Sequence, residues 1–111
     1  MHPAVIDTNT FSELQEAAGA EFVDELLGTF FEEAPALLSE LRSAQTAGDA
    51  ARWRRAAHSL KTNALTFGAM ALGDQARALE QSELPATPTP LDDLDVAYAT
   101  AVAALEDLRH G

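Results

Sequence analysis

His58 is the residue whose surroundings first offer chemistry. It lies in Ala-His-Ser-Leu-Lys-Thr-Asn-Ala-Leu-Thr-Phe-Gly-Ala (57–69), a stretch with helical apolar spacing and no Asp or Glu within four positions of the histidine. With His58 set at zero on a helical wheel, Trp53, Ala56, Leu60 and Phe67 fall about 140° or more away and mark the buried side. The imidazole therefore points to solvent. Arg54, Arg55, Lys61 and Thr62 are its i−4, i−3, i+3 and i+4 neighbours on the helix surface. Positive charge beside an imidazole favours the neutral, nucleophilic ring, and the same cations attract the oxygens of an attached phosphoryl group. Phosphoryl transfer asks little covalent work of a protein beyond positioning a nucleophile and neutralising the moving charge. An exposed histidine beside Lys61 suits that task.

The plainer reading is a polar histidine on a solvated face. Against it stand Lys61 at i+3, Gly68 at i+10 and a basic island, because five of the seven basic residues (Arg52, Arg54, Arg55, Lys61, Arg77) fall between 52 and 77, where Asp74 is the only acid. Ala51 and Leu65 lie about 20° to either side of His58, and they place small and apolar surface above and below the ring for a docking partner.

The elements that must position this histidine read as helices divided by short breaks, and no β-hairpin signal appears. Asp7 to Asn9 offers caps for a short helix over about 10–18, ended by Gly19. From about 20 to 47 the residues Phe22, Val23, Leu26, Leu27, Phe30, Ala34, Leu37, Leu38 and Leu41 keep one apolar stripe. Pro35 inside that span predicts a kink, since it removes a backbone donor while the stripe continues past it. Gly48-Asp49 is a stop-and-cap pair, and the histidine helix follows over about 50–65. After a break at Gly68, a helix over 69–81 carries Leu72, Ala76 and Leu79 on one side. Three prolines in the segment 84–90 predict a surface loop. The last helix, about 91–108, offers Leu94, Val96, Tyr98, Ala101, Val102, Leu105 and Leu108 to the core. Consecutive helices with short connections favour an antiparallel bundle.

The 111 residues amount to a single domain. No apolar run approaches the ~20 residues of a membrane span. The N-terminus has no basic region ahead of an apolar one, so a cytoplasmic protein is expected. A starting Met and an uninterrupted domain favour a free-standing protein over an excised module. The absence of cysteine removes disulfides, thiolate nucleophiles and sulfur ligands. A net charge of −11 argues against nucleic-acid binding. Metal chemistry is poorly supported, because His2 and His110 are near the termini and none of the three histidines has an i+3 or i+4 partner of ligand type.

His58, Lys61 and Gly68 resemble the signature of the histidine-containing phosphotransfer (HPt) domain, His-x-x-Lys-Gly with a further Gly ten residues after the His. The resemblance runs from the acidic stretch 21–35 through Gly48-Asp49 to Ala78-Leu79-Glu80. It implies an all-α, antiparallel up-down-up-down four-helix bundle with a short extra N-terminal helix. It also implies a monomeric phosphorelay carrier without kinase activity of its own. The partners would be response-regulator receiver domains and a sensor or hybrid histidine kinase. No cofactor is implied beyond the Mg²⁺ required by the receiver. In such a protein Lys61 would neutralise charge on the phosphoryl group, and Gly68 would let the histidine helix pack closely on its neighbour. Ala51, Arg54, Arg55 and Leu65 would meet the partner. Glu80, 22 residues after the histidine, matches a position where some members carry a polar side chain that holds the imidazole, and equally it reads as a solvated acid. Thr62 departs from the family, which has Gly there. Its side chain either narrows access to the imidazole or supplies a hydroxyl to the ring or phosphoryl group. The alternative function is a docking or adaptor protein of the same fold that is never phosphorylated.

Overall fold

A computed structural model describes residues 4–110. Within them every regular element is a helix: α1 (Thr8–Ala18), α2 (Ala20–Ala47), α3 (Ala50–Thr66), α4 (Met70–Gln81) and α5 (Thr89–His110). His2 lies outside the described residues.

Local signals set the boundaries. Asp7 accepts from the amide of Asn9 at 3.1 Å, so α1 starts two residues before the sequence-based estimate. Gly48 takes a left-handed φ of +68° that ends α2, and Asp49 then accepts from the Arg52 amide at 3.1 Å to open α3. α2 runs unbroken across Pro35, at the cost of the hydrogen bond that the Phe31 carbonyl would otherwise receive. At the other proline cluster the expectation is corrected. Pro90 falls in the first turn of α5, which begins at Thr89 rather than Leu91. Proline is tolerated there because first-turn amides have no intrahelical acceptor.

The four longer segments close a ring, with α2 on α3, α3 on α4, α4 on α5, and α5 back on α2. Their directions follow from the paired residues. Arg42 near the end of α2 meets Asp92 (2.9 Å) and Asp95 (2.5 Å) at the start of α5, while Arg109 at the end of α5 pairs with Asp24 near the start of α2. Glu40 meets Arg52 at one end of α2–α3, and Phe30 meets Phe67 at the other, with ring centroids 5.5 Å apart. Trp53 bonds the Leu79 carbonyl while Leu65 lies over Gly73, which makes α3 and α4 antiparallel. This is the up-down-up-down bundle expected from the sequence. α1 packs on α2 and buries Phe11.

The core holds Val23, Leu27, Phe30, Leu41, Trp53, Leu60, Leu72, Leu91, Leu94 and Leu105, each at most 2 % exposed. Burying a side chain of this size contributes roughly 1.5–3 kcal/mol. Two residues expected in the stripes are outside: Phe22 is 51 % exposed and Val96 67 %. Phe22 sits about 100° from the centre of the buried stripe of α2, and Val96 lies about 160° from Leu94. No described helix is long and apolar enough to cross a membrane.

Candidate functional site

The Asp49 cap and the buried face of α3 fix which way His58 points. Trp53, Ala56, Ala57, Leu60 and Ala64 are buried, and the His58 side chain stays 60 % exposed. Trp53 also sets the register against α4: its indole N–H donates to the Leu79 carbonyl at 2.8 Å. The next residue, Glu80, thereby arrives beside the imidazole.

Glu80 Oε1 lies 2.9 Å from His58 Nδ1, and Glu80 Oε2 lies 2.7 Å from Lys61 Nζ. One carboxylate thus bridges the histidine and the lysine. Its Oε2 is sealed from water, with the Lys61 ammonium as its ionic partner. The contact to Lys61, and then the one to His58, hold the Glu80 carboxyl below the usual carboxylate range. An ionised carboxylate only accepts, so Nδ1 carries the hydrogen and the lone pair of the neutral ring is on Nε2. The surroundings of His58 are therefore not purely cationic, as its own helix suggests, because α4 supplies a carboxylate that no reading of α3 alone contains.

The other expected site residues divide. Ala51, Arg54, Arg55 and Thr62 are exposed. Lys61 is 20 % exposed and tied to Glu80. Leu65 is less open than the sequence suggests: it is half-buried, and its side chain packs across Gly73, where a Cβ would come within 2.5 Å of Leu65 Cδ2. Gly68 differs as well. It adopts φ +78°, and a Cβ there would stand 2.7 Å from the Asp7 carbonyl, so the close approach it permits is to the start of α1. The close α3–α4 approach belongs to Gly73. The basic island is also narrower than it reads, since the Arg52 side chain is held by Glu40 at 2.6 Å and Ser43 at 3.0 Å.

Sequence reasoning missed the opposite wall of the site. An open groove of about 640 Å³ runs between α2 and α3, with Glu33, Leu37 and Glu40 facing His58, Thr62 and Asn63. The i, i+3/i+4 spacing of Glu33, Leu37 and Glu40 was the available signal. Among the described residues no cluster of three ligating side chains could hold a metal ion.

The four-helix bundle thus presents the solvent-facing imidazole of His58, held at Nδ1 by an acid from the adjacent helix. The chain belongs to the Hpt domain family, whose model matches residues 25–110. It is similar to the sensor protein TorS of Escherichia coli (strain K12), with 31 % identity over 105 residues, and the match takes in 95 % of this chain and 11 % of that protein. The chain thus spans a small fraction of the relative's length. Membership of the Hpt domain family supports a phosphorelay role in general.

Proposed function

We propose that His58 accepts a phosphoryl group from a receiver-domain aspartate or a hybrid histidine kinase and passes it to a response-regulator receiver aspartate. The observation that carries this reading is the Glu80 contact at Nδ1 (2.9 Å) on a ring that is otherwise open to solvent. In the forward step the Nε2 lone pair attacks phosphorus, an Nε2–P bond forms, and the bond from phosphorus to the aspartyl oxygen breaks to release a carboxylate. The ring gains positive charge while Nδ1 keeps its proton, and Glu80 faces that charge. The reverse sequence returns the group to a second receiver. Mg²⁺ belongs to the receiver in this scheme, and the carrier works as a cytoplasmic monomer without kinase activity.

His58→Gln should abolish labelling and leave the fold intact, because the side chain lies outside the core. The check is incubation with a phosphorylated receiver, then acid and base treatment of the labelled carrier. Label that survives in His58→Gln, or acid-stable label in the parent, would refute the assignment. A parent that binds receivers yet takes no label would establish the docking-protein alternative.

A further inference from the structure

The geometry points to Arg55, rather than Lys61, as the side chain that contacts the phosphoryl group on His58, an inference that rests on the proposed phosphorylation of His58. The two ring nitrogens are separated by one carbon, so the directions leading out of the ring at Nδ1 and Nε2 diverge widely. Glu80 occupies the Nδ1 direction at 2.9 Å. Lys61 is held on that same side, its ammonium 2.7 Å from Glu80 Oε2 and its side chain only 20 % exposed. A phosphoryl group on Nε2 therefore projects away from both, toward solvent and the α2 side.

Three cations compete for the part. Arg54 lies on the α4 side of α3, lining a cleft with Glu80 and Glu83. Arg52 is bound to Glu40 and Ser43. Arg55 is exposed, makes no hydrogen bond or ion pair among the described residues, and sits on the groove side, where the Arg52 hydrogen bond chiefly, and the field of Arg55 to a smaller degree, hold the Glu40 carboxyl below its ordinary range. It is three residues before His58, one helical turn away on the same surface. A guanidinium has five donors, here without a hydrogen bond or ion pair to give up among the described residues, and it matches phosphoryl oxygens in a two-pronged contact. Lys61 would first have to leave Glu80, unpairing a carboxylate oxygen that is sealed from water.

The test phosphorylates the full chain with phosphoramidate, so no receiver is needed, and follows the ³¹P signal of the phosphohistidine against pH. In Arg55→Ala the second ionisation of the phosphoryl group should rise by roughly one unit, as expected on loss of a neighbouring positive charge. Arg55→Lys should restore part of the shift, and Lys61→Ala should leave the ionisation close to the parent's. A displacement in Lys61→Ala equal to or larger than that in Arg55→Ala would overturn the inference while leaving His58 as the acceptor. If His58 takes no phosphoryl group from phosphoramidate or from any receiver, the function itself falls, and the inference with it.

Discussion

Thr62 shows what a single side chain decides beside an exposed imidazole. It is exposed, faces Leu37 and Glu40 across the groove, and its hydroxyl makes no hydrogen bond among the described residues. Of the two roles the sequence left open, restriction of access therefore has the better geometric support. Thr62→Gly should widen the set of receivers that exchange phosphate with His58, at a helix-propensity cost of about 1 kcal/mol or less. A receiver panel compared between parent and variant reads this directly. Uniformly slower transfer to every partner would show instead that the hydroxyl supports the ring or the phosphoryl group. At this scale the outward face of His58 was legible, because helical periodicity alone places Trp53 and Leu60 opposite it. The Lys61–Glu80 pair was not, because the two residues are 19 positions apart and their meeting depends on the α3–α4 register that Trp53 sets at Leu79.

Helix boundaries were legible where a left-handed glycine and a cap stand together, as at Gly48 and Asp49, whereas the run of possible caps from Asp7 to Asn9 left the start of α1 two residues out. Pro90 misled because a proline stops a helix that comes before it but not one that starts around it. Phe22 and Val96 misled because an apolar residue next to a stripe fits a permissive reading of the period, although its direction is wrong. The two tight glycines make a ranked prediction. Gly68→Ala would force a non-glycine residue to φ +78° and set its Cβ 2.7 Å from the Asp7 carbonyl, a backbone atom that cannot move without displacing α1. Gly73→Ala would meet side-chain atoms of Leu65, Cδ2 at 2.5 Å and Cγ at 2.9 Å, and no backbone atom, so the Leu65 side chain rather than a helix has to move. Urea denaturation should show Gly68→Ala losing more than about 1 kcal/mol, with Gly73→Ala losing less. The reverse order would place the critical close approach between α3 and α4.

Across the whole molecule, acids dominate and the ties between helices rest on a few cations. Arg52 holds the Glu40 carboxyl below its usual range, and Lys61, then His58, do the same for Glu80. A carboxyl lowered in the folded state adds stability that is fully present above its ordinary value of 4.5 and disappears as the pH falls through the lowered value. Glu80→Gln should therefore be less stable than the parent at neutral pH, and the gap should close well below 4.5, where both carry an uncharged side chain at position 80. Denaturation midpoints of the two proteins measured across that range test the sign. A gap that persists at low pH would mean that Glu80 contributes through packing rather than charge. The antiparallel order of the bundle was readable from short connections, whereas the ring that returns α5 to α2 rests on Arg42 and Arg109 reaching acids 50 to 85 residues away, which no local pattern encodes.

Trp53 is the only tryptophan in the chain. Its indole is 1 % exposed and bonded to the carbonyl immediately before Glu80. Light emitted at that position senses water as soon as α3 and α4 part, so the protein carries its own optical gauge of the helix pair on which His58 and Glu80 meet. No dye or label has to be introduced to watch the site come apart.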